Sequence, residues 1–185
     1  MAGSHQIWTL DLQSSQLKAF AGTGQEALLD GKRLDAAFNQ PSGLALRGDK
    51  LWVADAEASA IRQIDLSSGK VETLVGQGLF EFGLKDGGFK RALLQHNKDV
   101  VVLDKHTLAV ADTYNHKIRL LDLDERQVMT LSIGTELNEP GGLAVFNGEL
   151  YIADTNNNRI VRWHLKDQKL TEVQVPATAK LESAP

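Results

Sequence analysis

The stretch Leu150-Tyr151-Ile152-Ala153-Asp154-Thr155-Asn156-Asn157-Asn158-Arg159-Ile160 decides the fold, because its pattern occurs twice more upstream. Leu108-Ala109-Val110-Ala111-Asp112 leads through Thr113-Tyr114-Asn115-His116-Lys117 to Ile118, and Leu51-Trp52-Val53-Ala54-Asp55 leads to Ile61. In every copy an isoleucine lies six residues past the aspartate, and a leucine (Leu66, Leu123, Leu165) lies eleven past it. A lead-in precedes each copy: Pro41-Ser42-Gly43-Leu44-Ala45, the weaker run from His96 to Val102, and Pro140-Gly141-Gly142-Leu143-Ala144. Asp55 to Asp112 is 57 residues and Asp112 to Asp154 is 42. The longer spacing reflects an extended loop from Gly76 to Leu94, so the basic period is about 42 residues.

Each period reads as four short strands, rich in Val, Ile, Leu and aromatics and bounded by Gly, Asp, Asn and Ser. No segment sustains a helical period. A four-stranded antiparallel unit of this length cannot bury both faces alone and stacks on its neighbours, which is the signature of a β-propeller blade. The expected fold is all-β. At the N-terminus Met1 falls at the aspartate position, His5 matches His116, and Ile7, Asp11 and Leu12 keep the register of Ile61, Asp65 and Leu66. The chain therefore opens inside a blade. It is expected to hold two strands of one blade plus three four-stranded blades, a partial, half-ring propeller belonging to the C-terminal part of a larger protein.

The expected boundaries are 1–35 for the half blade and its loop, 36–76 for a blade, 77–134 for a blade with a long inserted loop, and 135–175 for the last. Residues 176–185 are expected to be a flexible tail. Open blade edges are templates for pairing, so a homodimer through those edges is expected. Among 185 residues, 24 acidic and 20 basic groups give a net charge of −4, which supplies no general attraction for phosphate. With no cysteine there is no disulfide, thiolate metal site or cysteine nucleophile. No apolar run approaches the roughly 20 residues of a helical membrane span. The start carries no signal-peptide pattern, and the expected location is cytoplasmic.

Asp112-Thr113-Tyr114-Asn115-His116-Lys117-Ile118-Arg119, Asp154-Thr155-Asn156-Asn157-Asn158-Arg159-Ile160 and the Pro-x-Gly-Leu-Ala lead-ins resemble the NHL repeat, a unit of six-bladed propellers. Two loops carry a repeat of their own. Gly22-Thr23-Gly24 with Asp30-Gly31 and Ala36-Ala37-Phe38 is echoed by Gly76-Gln77-Gly78 with Asp86-Gly87 and Ala92-Leu93-Leu94. This spacer is similar to that of the NHL subfamily whose propeller follows a thioredoxin-like domain. The resemblance implies a redox-associated parent and a module that binds another protein or another domain.

The residues themselves favour a non-catalytic role. Asp55, Asp112, Thr113, Asn115, His116, Asp154, Thr155 and Asn157 form the repeat motif, with the aspartates expected to cap turns and the asparagines to tolerate left-handed backbone. Neither Gly-x-Gly loop completes a phosphate-binding pattern, and no Gly-x-Ser-x-Gly elbow occurs. No cofactor is expected. His96, at the start of an inner strand, is the one metal candidate to watch, since a metal-dependent lyase or hydrolase at the propeller axis is one alternative reading. RNA binding through basic and aromatic side chains is the other. Trp52, Arg62, Arg119 and Arg162 are the residues expected to contribute to an interaction surface, with an unidentified protein as partner.

Overall fold

The computed structural model describes residues 2–174; the expected tail at 176–185 lies outside them. The chain forms four antiparallel sheets stacked in sequence order, a partial β-propeller. The first sheet pairs β1 (Ile7–Leu10) with β2 (Leu17–Ala21). The second is built from β4 (Pro41–Arg47), β5 (Lys50–Asp55), β6 (Ala60–Asp65) and β7 (Lys70–Val75), each hydrogen-bonded to the next. The third repeats this with β9 (Asp99–Val102), β10 (Thr107–Asp112), β11 (Lys117–Asp122) and β12 (Gln127–Thr130). The fourth has β13 (Pro140–Phe146), β14 (Glu149–Asp154), β15 (Arg159–His164) and β16 (Lys169–Glu172).

Two sheets differ from the expected four strands. β3 (Gly31–Lys32) joins the outer edge of β7, and β8 (Gly87–Gly88) joins that of β12. Both come from the Asp-Gly loops, which run from the preceding sheet to the far edge of the next and cover backbone that would otherwise stand unpaired there.

Strand alternation explains the stacking. Val53, Ile64 and Val71 turn to the first sheet and bury against Ile7 and Ala21, whereas Trp52, Ala54 and Ile61 turn to the third and bury against Val100, Leu108 and Val110. On the next strand pair Ala109 and Ile118 face Leu150, Ile152, Val161 and Trp163 of the fourth sheet. Successive side chains of a strand thus serve opposite neighbours, as the period of two requires. There is no single core, only one apolar layer per interface. No helix among the described residues is long and apolar enough to cross a membrane.

A second repeat joins the blades by hydrogen bonds. The residue four past each motif aspartate, or its N-terminal counterpart, is left-handed: His5, Ser59, His116 and Asn158 have φ of 52°, 49°, 55° and 51°. So is a residue in the segment leading into each inner strand: Gln40, His96 and Glu139 at 59°, 49° and 48°. The first set accepts from the second across the interface. Gln40 N–H donates to His5 Nδ1 (3.3 Å), His96 N–H to Ser59 Oγ (3.0 Å) and Glu139 N–H to His116 Nδ1 (3.0 Å). Side chain and strained backbone are therefore matched pairs between consecutive blades.

Candidate functional site

The three motif aspartates lie at one end of the sheets and are wholly buried. None caps its own turn. Instead Oδ1 of Asp55, Asp112 and Asp154 accepts the backbone N–H of Asn39, Gln95 and Asn138, in the segment leading into the same sheet, each at 2.7 Å. The other oxygen meets a cation: Arg62 Nη1 donates to Asp55 Oδ2 at 3.1 Å, Arg119 Nη1 to Asp112 Oδ2 at 2.6 Å and Arg159 Nε to Asp154 Oδ2 at 2.7 Å. Asn115 and Asn157 add one donor each to Asp112 and Asp154, at 2.8 Å. Burial pushes the Asp55 carboxyl up to about 6 against the opposing pull of Arg62 and Asn39. It raises Asp112 as well, against Asn115, Gln95 and Arg119. These carboxylates are engaged by donors of the scaffold itself.

Arg62 and Arg119 correct an expectation. Placed on an interaction surface from sequence, both are inaccessible to solvent, because each threads inward to clamp an Asp-Gly loop. Arg62 donates to Leu29 O (2.8 Å), Ala37 O (2.9 Å) and Asp30 (3.0 Å). Arg119 does the same to Lys85 O (2.9 Å), Leu93 O (2.9 Å) and Asp86 (2.6 Å). Asp30 and Asp86 in turn accept from the N–H and hydroxyl of Thr73 and Thr130. The fourth sheet has Val161 at the arginine position, and no Asp-Gly loop precedes it. Trp52, 5% exposed, packs in a sheet interface and donates to Gln63 Oε1 at 3.1 Å, so it too is no surface residue. Arg162 is half-exposed, held by Thr171 (2.8 Å) and Glu149 (3.4 Å).

Thr113 is buried and donates to Pro140 O of the next sheet at 2.8 Å, whereas its counterpart Thr155 is exposed. His96 stacks on Tyr114 with ring centroids 4.2 Å apart and sets Nδ1 3.2 Å from Glu57 Oε1. No group of three His, Cys, Asp or Glu suited to a metal occurs among the described residues. On β9, Asp99 stands where β4 and β13 carry Gly43 and Gly142, accepting from Leu143 N–H and Val100 N–H at 2.8 Å each. Burial raises its carboxyl, the two N–H groups opposing.

His96 instead belongs to a groove of about 310 Å³ between the second and third sheets. Glu57, Ser59 and Asn39 line one side, Gln95, His96 and Tyr114 the other, and the loop residues Glu26, Leu79, Phe80 and Phe82 complete it. Phe80 is 87% exposed and Phe82 53%. Sequence reading passed over these rings. The signal available was length: the second Asp-Gly loop takes eleven residues from Gly76 to Asp86 where the first takes nine from Gly22 to Asp30, and Leu79, Phe80 and Phe82 sit within it.

Residues 137–163, within the fourth sheet, match the NHL repeat. The chain is 41% identical over 197 residues to NHL repeat-containing protein 2 of Homo sapiens, covering 86% of this chain and 27% of that protein. It is 38% identical over 182 residues to Protein SUPPRESSOR OF QUENCHING 1, chloroplastic, of Arabidopsis thaliana, covering 86% of this chain and 17% of that one. The chain thus spans about a quarter or less of these relatives. Among solved structures, an auxiliary nutrient binding protein from Bacteroides ovatus superposes with a TM-score of 0.68 at 17% identity, over 94% of this chain and 44% of that one, a likeness of fold.

Proposed function

We propose that the chain is a non-catalytic NHL-repeat propeller module that binds a polypeptide, a separate protein or another domain of the same protein, at the groove beside Phe80 and Phe82. One observation carries this reading. Two aromatic rings stand in solvent at the rim of a concave site, where exposed apolar surface of this kind marks contact with another macromolecule. The aspartates that might have served acid-base chemistry are committed to backbone N–H groups and arginines, which supports a binding role over a reactive one. In the interdomain form of the proposal, the thioredoxin-like domain implied by the loop resemblance is the first candidate partner. The greater length of both relatives leaves room for such a domain.

Selection of a random peptide library on the immobilised chain tests it. Enriched peptides are expected to lose at least about tenfold in affinity when Phe80→Ser and Phe82→Ser are introduced together. Enrichment indifferent to both substitutions, or no enrichment, overturns the assignment.

A further inference from the structure

We infer that this groove receives a basic side chain, an arginine or lysine carried on the bound polypeptide; the inference rests on the protein-binding reading above. The groove is rich in acceptors. Glu26 and Glu57 are exposed carboxylates at its rim. Asn39 lies in its wall, only 3% exposed, and its Oδ1 has no hydrogen-bond partner among the described residues. A buried acceptor left unmet keeps its desolvation cost until a donor arrives. The nitrogen groups nearby are engaged: His96 Nδ1 sits 3.2 Å from Glu57 Oε1, and Lys98 Nζ lies over the Tyr114 ring at 5.9 Å.

Ligand chemistry follows from that imbalance. An acidic segment would bring like charge to Glu26 and Glu57, and a purely apolar one would bring no donor for Glu26, for the second oxygen of Glu57 or for Asn39 Oδ1. A cationic side chain satisfies both demands, its head donating into the acceptors while its stem covers Phe80 and Phe82. A guanidinium adds planar stacking on an aromatic face and several donors in a fixed fork, so arginine fits better than lysine.

The test is titration of the 185-residue chain, followed by amide NMR shifts, with acetyl-Ala-Arg-Ala-amide and with the same peptide carrying neutral citrulline. The arginine peptide is expected to shift amides around the groove, weaken with added salt, and bind at least about tenfold better than the citrulline peptide. Glu26→Gln with Glu57→Gln is expected to remove most of that preference without changing thermal unfolding, since both side chains are exposed. Equal binding of the two peptides, lost on Phe80→Ser, overturns the charge proposal and leaves the binding reading standing. No groove shifts with either peptide, together with no library peptide dependent on Phe80, overturns both.

Discussion

Arg62 and Asp55, seven residues apart in sequence and both sealed from solvent, meet at 3.1 Å, and the same pair recurs one blade later as Arg119 and Asp112 at 2.6 Å. Removing one partner of such a pair strands the other charge where water cannot reach it. Arg62→Met is therefore expected to cost about 3–5 kcal/mol at neutral pH, read by urea unfolding. Asp30 meets the same guanidinium from a half-exposed position, and Asp30→Asn is expected to cost only about 1 kcal/mol or less. Adding Asp55→Asn to Arg62→Met should recover part of the loss. A double variant as unstable as the sum of its singles would show that the two residues do not act as a pair.

The Asp55 carboxyl gives the stability a pH dependence of defined sign. Burial lifts it to about 6, above its ordinary value of about 3.9 in an unfolded chain. Between those values the folded chain holds the extra proton, so this group's stabilising contribution is complete below about pH 4 and lost as pH rises through 6. A shift of about two units corresponds to roughly 3 kcal/mol. Half-buried Asp65, lowered chiefly by its hydrogen bond from Lys50, acts in the opposite direction, so the readout is the difference between wild type and Asp55→Asn. That difference is expected to move against the wild type from pH 4 to pH 7, and a pH-independent difference overturns the assignment.

Gly43 lies at a close approach of β4 to β9. A Cβ built there would fall 2.6 Å from Asp99 Cα and 2.9 Å from Lys98 O, both on backbone that cannot step aside. Gly43→Ala is expected to force β4 and β9 apart and destabilise by about 1–3 kcal/mol. Gly142, at the corresponding place on β13, would meet only the Ala153 Cβ, at 3.7 Å, so Gly142→Ala is expected to be mild. Comparable thermal shifts for the two would refute the steric argument.

The register of the strands was legible in the sequence because burial on a pleated sheet repeats every two residues and the aspartate-to-isoleucine spacing fixes the phase. The role of Arg62 and Arg119 was not, because a charged residue is ordinarily at the surface and their loop acceptors lie some 25 to 34 residues away. The clue was the covariation within the chain itself: arginine stands at that position only in the two blades preceded by an Asp-Gly loop, and Val161 replaces it in the third. Phe80 and Phe82 have no counterpart in the first loop, so comparison of the copies had nothing to align them with. Self-similarity finds the scaffold and passes over what one blade alone possesses.

The blade-to-blade contacts set the expected state of the isolated chain. In the third sheet Thr113 donates to Pro140 O and His116 accepts Glu139 N–H, closing that interface onto the fourth. The corresponding positions on the fourth sheet, Thr155 and Asn158, are exposed, and Ile160, counterpart of the buried Ile118, is 43% exposed. At the other end the two-stranded sheet leaves Leu10, Leu12 and Leu17 exposed. Faces built for a neighbouring blade retain about 25 cal/mol per Å² of unrealised apolar burial, and association of two copies through them is the expected way to cover it. Light scattering after size exclusion is expected to give twice the chain mass, and Ile160→Asp to give the single mass. A wild-type chain of single mass would mean that the open faces are stable in water without a partner, and would overturn the expectation of a dimer.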